Sequence, residues 1–339
     1  MNHQVTLMPS GATFEASADE TLLEAALRQN ILIPHGCRHG ACGACKGDVL
    51  SGTVDHGKSQ EHALPQTERE LGKILFCSAH AKSDLTINCP QATVNAGTSF
   101  KTMSVRIERL EKVAEDVIIL NLSLPASETF TFRAGQYVDF LLAEGQRRSF
   151  SIANTPEKKG SLELHIRRIS GGLFTPWLFE TAKVKDILKI EGPHGGFFLR
   201  EDSEKPIIML ATGTGFAPIK SIVEDSLLQN SRRPVHIYWG SRRESGLYAR
   251  ALPEQWAAEH PHIRFTPILA VPPADWQGRV GRVEDAVATD YPDLSDCEVY
   301  ASGNPEMVET AHRALSERCR LPEDAFYADA FTLAAASGQ

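Results

Sequence analysis

Three cysteines fall within nine residues, as Cys37, Cys42 and Cys45 of CRHGACGAC, and a fourth, Cys77, follows after thirty-one more residues. A C-x4-C-x2-C…C order is the thiolate spacing of a plant-type [2Fe–2S] cluster: one short loop presents three ligands and the fourth arrives from elsewhere. Gly36, Gly40 and Gly43 let backbone N–H groups approach inorganic sulfides where side chains would crowd them. Zinc is the main rival, although its usual sites come as C-x2-C pairs. Cys89, Cys297 and Cys319 read as small hydrophobes.

Two other constellations suit anions. In the first, Arg148-Ser149-Phe150-Ser151 lies on a strand, and a later strand alternates so that His165 and Arg167 face away from Leu162, Leu164 and Ile166. Gly171, Gly172 and Thr175 then lead into a helix. A cation, an imidazole, a glycine turn and a helix start are what a pyrophosphate requires, although a solvated strand face with an ordinary turn would look the same. The second is the strand Ile207–Leu210 running into Gly213-Thr214-Gly215-Phe216-Ala217-Pro218 and a helix. Two glycines at such a turn let the backbone meet a dinucleotide phosphate, and Pro218 suits a first helical turn.

The elements that position these residues change character along the chain. An N-terminal segment holds strands near Val5–Met8, Thr13–Ala16 and Leu85–Asn88 and a helix over Glu20–Gln29, and QATVNAGTSFKTM after it has the composition of a linker. From about Ser104 to Leu199, successive short strands with turn signals predict a small antiparallel barrel, interrupted by a helix at Thr175–Glu180. From Lys205 onward strands alternate with helices, which predicts a parallel sheet covered by helices. The expected architecture is multidomain, α+β and α/β: a β-grasp domain over 1–92, an antiparallel β-barrel over 103–200 and a parallel-sheet α/β domain over 205–339.

The 339 residues carry 43 acidic and 35 basic side chains, a net charge of −8, which argues against a general nucleic-acid binder. Runs such as PIIMLA are too short to cross a bilayer. MNHQVTLMPSG lacks the charged start and apolar stretch of an export signal, so seven cysteines point to metal or redox chemistry, and the cytoplasm is the expected compartment. Residues 1–90 hold ten acidic and seven basic side chains. Arg38, His39 and Lys46 beside the cysteine loop are therefore expected to meet any acidic partner surface.

In order, CRHGACGAC with Cys77, RSFS at 148–151, HIR…GGLFT at 165–175, GPHG at 192–195, GTGFAP at 213–218, YWGSR at 238–242, YASGNPEM at 300–307 and FYADAF at 326–331 cover nearly the whole chain. Together they resemble the iron–sulfur flavoprotein reductases, in which a plant-type ferredoxin domain precedes a ferredoxin–NADP reductase module. Members include reductase components of aromatic-ring oxygenases and CDP-6-deoxy-3,4-glucoseen reductase. The resemblance implies FAD, a [2Fe–2S] cluster and NADH or NADPH, with electrons passing to a partner protein, an oxygenase component first and a sugar dehydrase as the alternative. A redox sensor is a third reading, which the nicotinamide motifs oppose.

Residue by residue, the resemblance implies that Arg148, Ser149, Phe150 and Ser151 meet flavin, with Ser151 near its N5 edge. His165, Ile166, Arg167, Gly171, Gly172 and Thr175 would hold the ribityl–pyrophosphate part. Gly213, Thr214, Gly215 and Pro218 would take the nicotinamide dinucleotide, with Ser241 and Arg242 at its ribose end and Ser302, Gly303, Pro305 and Met307 at the nicotinamide. Phe331 would cover the flavin face. Two positions depart from many relatives: Phe150 stands in place of a tyrosine, and Ser302 in place of a cysteine.

Overall fold

Apolar residues at Val5 and Leu7, then at Phe14 and Ala16, are buried along one face of two strands, β1 (Asn2–Met8) and β2 (Thr13–Ser17). Helix α1 (Leu22–Arg28) opens with a capping box, in which Thr21 Oγ1 accepts from the Glu24 N–H and Glu24 accepts from the Thr21 N–H. There follow β3 (Ile31–Leu32), β4 (Lys46–Ser51), β5 (Val54–Asp55), α2 (Gln66–Glu70), β6 (Lys73–Leu75), β7 (His80–Ala81), β8 (Leu85–Asn88) and β9 (Thr93–Val94). Five strands form one mixed sheet in the order β2-β1-β8-β4-β6, with β1 and β8 parallel, in keeping with the expected β-grasp.

The computed structural model describes residues 2–36, 38–41, 43–94, 101–169, 171–172 and 174–331. It divides into two compact units, one built on residues 1–99 with the segment from Asp329, the other on residues 100–328. Both ends of the stretch with linker composition pair into sheets, and residues 95–100 lie outside the described residues. Thr93–Val94 pair with Ile31–Leu32, and Lys101–Met103 pair with Ile190–Gly192, because backbone hydrogen bonds extend a sheet whatever the side chains.

The second unit begins with β10 (Lys101–Ala114), β11 (Val117–Ser123), β12 (Tyr137–Leu141), β13 (Arg147–Ser151), β14 (Ser161–Arg167), α3 (Phe174–Glu180) and β15 (Ile187–His194). These strands are antiparallel neighbours in the order β13-β12-β15-β10-β11-β14. An Ile152–Leu164 bridge joins the two edge strands, so the sheet closes into the expected barrel. Its interior is filled by residues such as Ile107, Leu120, Phe140, Leu162, Leu164 and Ile166.

Continuing, β16 (Ile207–Thr212), α4 (Phe216–Leu228), β17 (Val235–Ser241), α5 (Ala251–Glu259), β18 (Ile263–Leu269), β19 (Arg279–Val280), α6 (Val283–Asp290), β20 (Glu298–Gly303), α7 (Pro305–Cys319) and β21 (Phe326–Ala330) build a second sheet. Its order is β19-β18-β17-β16-β20-β21, with β16, β17, β18 and β20 parallel. The connections reverse direction between β16 and β20, and ligands of such sheets bind beyond the strand ends at that point. Asn304 caps α7, accepting from the Glu306 N–H at 2.8 Å, with Pro305 in the first turn. FYADAF, the last of the motifs that carry the resemblance, is largely edge strand β21.

Candidate functional site

Cys45 immediately precedes β4, and its carbonyl accepts from the Phe76 N–H at 3.0 Å, next to Cys77. The first N–H groups of α1 reach over the same turn: Leu22 donates to the Ala79 carbonyl at 2.8 Å and Leu23 to that of Phe76 at 2.9 Å. Orphan donors at a helix start thus fix the loop that carries the fourth thiol. Cys45 and Cys77 are both buried. The Gly40 N–H donates to Cys77 Sγ at 3.2 Å, the kind of bond that steadies a thiolate ligand. At φ +77, Gly40 lies so close to its neighbours that a Cβ would stand 2.6 Å from Ser78 Oγ. Cys37 and Cys42 lie outside the described residues, but the two thiols seen, with their N–H donor, fit a cluster. Lys46, expected to face a partner, is engaged by Glu68 within its own unit at 2.7 Å.

Of the other thiols, burial pushes Cys89 up to about 12 and also raises Cys297 and Cys319, so these remain protonated. All three are buried, as their reading as small hydrophobes expects.

In the barrel, β13 places Arg148, Ser149, Phe150 and Ser151 opposite Phe140, Asp139, Val138 and Tyr137 of β12. Ser149 Oγ donates to Asp139 at 2.6 Å, while Arg147 bonds both Glu191 and Asp139. The Arg148 guanidinium reaches the Arg147 carbonyl and Gln146. The Phe150 ring meets Phe140 and Phe174 at 5.7 and 5.8 Å. Thr175 closes the glycine loop by accepting from the Ile169 N–H at 3.0 Å. Gly171 has φ +78, and a Cβ there would meet nothing within 4 Å among the described residues.

His165 and Ile166 stand apart from that group. Ile166 is in the barrel core, where truncating an isoleucine costs about 2–5 kcal/mol with or without any ligand. His165 is buried, with Nδ1 2.8 Å from Tyr248 Oη and Nε2 3.1 Å from Glu163 Oε1. Both ring nitrogens are therefore engaged by protein, and burial lowers its pKa, keeping it neutral.

At the end of β16, the Gly213 carbonyl accepts from Trp239 Nε1 at 3.0 Å, and Phe216 stacks on Trp239 with centroids 4.0 Å apart. Gly215 faces the end of β20 so closely that a Cβ would overlap the Ser302 carbonyl. Thr214, Pro218 and Met307 are buried. Ser302 is fully buried, and its Oγ has no hydrogen-bond partner among the described residues. A buried hydroxyl left unpaired at the mouth of a parallel sheet fits a site that a polar ligand completes. Beyond Ser241 and the exposed Arg242, a cleft of about 320 Å³ is lined by Glu244, Arg250, Pro273, Asp275, Trp276, Gln277 and Gly278. Phe331, half-buried, is grouped with the first unit.

Glu163, Tyr248, Lys220 and Trp276 lie in no glycine or cysteine motif of the sequence; the aromatic pair Tyr238-Trp239 ahead of Tyr248 is the nearest signal.

Three family descriptions match consecutive stretches: a 2Fe-2S iron-sulfur cluster binding domain at residues 5–82, an oxidoreductase FAD-binding domain at 104–199 and an oxidoreductase NAD-binding domain at 209–313. The chain is 40% identical over 331 residues to a CDP-6-deoxy-L-threo-D-glycero-4-hexulose-3-dehydrase reductase of Yersinia pseudotuberculosis, covering 98% of this chain and 99% of that one. It is 34% identical over 336 residues to reductase component 2 of a Comamonas terephthalate 1,2-dioxygenase, covering 98% of each. Among solved structures, an Amycolatopsis cytochrome P450 reductase superposes with a TM-score of 0.79 at 34% identity, covering 98% of this chain and 99% of that one. With its cluster loop, barrel and nicotinamide turn in that order, the chain belongs to the iron–sulfur flavoprotein reductases, oxidoreductases that join a [2Fe–2S] ferredoxin domain to an FAD- and NAD-binding module.

Proposed function

We propose that this reductase delivers its electrons to a sugar dehydrase, using three modules over 1–92, 103–200 and 205–339. Bound FAD supplies the conversion between the two-electron chemistry of nicotinamide and the one-electron chemistry of an iron–sulfur cluster. The chain's own residues bind and orient. Cys37, Cys42, Cys45 and Cys77 hold the cluster, and the Gly40 N–H steadies the Cys77 sulfur. Arg148, Ser149, Phe150 and Ser151 hold the flavin along β13, and Gly171, Gly172 and Thr175 hold its phosphates. Gly213, Thr214, Gly215 and Pro218 receive the dinucleotide phosphates, Ser302, Gly303, Pro305 and Met307 the nicotinamide, and Ser241 and Arg242 the far ribose of NADH or NADPH. No proton relay is required of any of them.

The observation that carries the choice of acceptor is the 40% identity with hexulose dehydrase reductases over nearly the whole of both chains, against 33–35% for the oxygenase reductases. Free thiols at Cys89, Cys297 and Cys319 suit the cytosol, the compartment this reading takes. No helix among the described residues is long and apolar enough to cross a membrane.

Anaerobic mixing with NADH or NADPH tests the reading. Flavin absorbance should bleach first and the EPR signal of a reduced cluster should follow. Adding a CDP-hexulose dehydrase with its substrate should then accelerate nicotinamide oxidation. Acceleration by an aromatic oxygenase component instead would reassign the acceptor; bleaching with no cluster signal would leave a sensor.

A further inference from the structure

Residues two apart share a face of a strand, and β14 shows two faces of different character. Leu162, Leu164 and Ile166 enter the barrel core. Glu163, His165 and Arg167 point the other way, and each reaches an element of the parallel-sheet half of the same unit. Glu163 Oε1 lies 3.2 Å from Lys220 Nζ on α4. His165 Nδ1 lies 2.8 Å from Tyr248 Oη. The Arg167 guanidinium covers Gly213, where a Cβ would stand 2.5 Å from Nη1. Helix α4 answers with Lys220 donating to the Ala153 carbonyl at 3.1 Å and Ser221 Oγ to that of Asn154 at 2.7 Å.

The middle contact has one chemical solution. The Glu163 carboxylate only accepts, so His165 Nε2 carries the ring proton and donates to it; Nδ1 is then the acceptor for the Tyr248 hydroxyl. Burial raises the Tyr248 phenol well above its usual range, so the donor is always protonated. The Tyr248 ring meets Trp239 edge-on at 5.3 Å, and Trp239 Nε1 holds the Gly213 carbonyl. A continuous chain of packed, hydrogen-bonded groups therefore runs from the barrel wall to the nicotinamide turn.

We propose that His165 and Tyr248 are positioning residues for hydride transfer, fixing the nicotinamide turn against the flavin-bearing barrel without touching either cofactor. The inference rests on the reductase reading above, and it moves His165 from flavin contact to registration between the two halves. The step governed is passage of one hydride, a proton with two electrons, from the reduced nicotinamide to the oxidised flavin; His165 neither gains nor loses a proton. Such transfer demands reacting atoms about 3–3.5 Å apart, and a misplacement of about 1 Å costs on the order of 100-fold in rate. Losing the contact should therefore lower the rate of transfer much more than affinity.

Tyr248→Phe removes one hydroxyl and keeps the ring on Trp239. At saturating NADH or NADPH, single-turnover flavin reduction should fall at least about tenfold, with a larger deuterium isotope effect from 4-deuterated cofactor. Cofactor Kd and FAD content should stay within about threefold and twofold of wild type, the pattern of lost orientation rather than lost binding. Hydrogen–deuterium exchange of flavin-free protein should increase at residues 162–168 and 244–250. His165→Gln, whose amide can donate to Glu163 and accept from Tyr248, should retain more of the rate than His165→Phe. A wild-type reduction rate in Tyr248→Phe, or loss of FAD from either His165 variant in proportion to the lost rate, overturns the proposal. Wild-type protein that never reduces flavin would instead sink the reductase reading, while the exchange measurement still reports on the contact.

Discussion

The cluster loop and the turn after β16 both depend on glycine, yet they are assembled differently. In the loop, Gly40 and Gly43 both have positive φ, and three of the four thiols are within nine residues. Only Cys77 must arrive from a distance, carried by the pairing of β4 with β6 and by the first N–H groups of α1. In the turn, Gly215 has ordinary helical φ and is glycine because the end of β20 abuts it, eighty-seven residues on. Gly213 is held by Trp239 and covered by Arg167, from two other strands. Positive φ occurs in both, at Gly40 and Gly43 and at Gly213; what differs is that one short stretch supplies most of the loop's thiols, whereas the turn takes its surroundings from separate strands.

The largest effect that would sharpen this contrast is loss of a ligand. Cys77→Ala should lower reduction of the protein acceptor by more than about 100-fold, beyond the 10–100-fold typical for outer partners of a metal site. NAD(P)H-driven reduction of ferricyanide, measured on the same preparation, should remain within about twofold. A parallel loss of both activities would show that the two regions do not function separately.

Glycine replacements come next. Gly215→Ala must push the start of α4 away from the end of β20, and overpacking of that kind costs about 1–3 kcal/mol. We expect NAD(P)H oxidation to fall at least about tenfold with iron and sulfide content unchanged. Gly40→Ala should do the reverse: the left-handed backbone costs about 1–2 kcal/mol, and the added Cβ crowds Ser78, so cluster occupancy falls while ferricyanide reduction holds. Iron analysis and steady-state kinetics on both variants check the pair.

The smallest effect is acid sensitivity near the turn. Burial pushes the Glu163 carboxyl up, but the hydrogen bond from His165 and the Lys220 charge pull it down to about 2 from 4.5. Glu224, on the other side of Lys220, is instead raised by burial, so Lys220 chiefly supports Glu163. A depressed carboxyl stabilises the fold above its unfolded pKa and ceases to do so as pH falls from 4.5 toward 2, a difference of about 3 kcal/mol. Thermal unfolding of the second unit between pH 5 and 3 should show this slope, and Glu163→Gln should flatten it. An equal slope in the variant would mean that Lys220 and His165 do not act on Glu163 as their geometry implies.

Much of this was legible in the chain. The capping box at Thr21 and Glu24, the period-two burial of β14 and the proline-led start of α7 are local patterns with local causes. The short strands β4 and β6 are not legible in the sequence because KGDVLS and KIL carry little alternation; β6 depends on pairing with β4, and β4 on pairing with β6 and β8. Helix α6 is faint in the sequence for a similar reason: few of the residues in VEDAVATD are large and apolar, and Val283, Ala286 and Val287 make a narrow buried stripe. The alternation of its strand singles out His165, but its partner Tyr248 is eighty-three positions away, and no spacing rule connects them.

By itself the sequence determined which chemistry this protein carries, because thiolate spacing, glycine turns and strand period are set within a few covalent bonds of one another. Only the tertiary structure decided what His165 bonds to, which groups surround Gly213 and what leaves no room for a side chain at Gly215. Those outcomes depend on the packing of elements far apart in the chain, where steric overlap and hydrogen-bond satisfaction act between surfaces that no local pattern encodes.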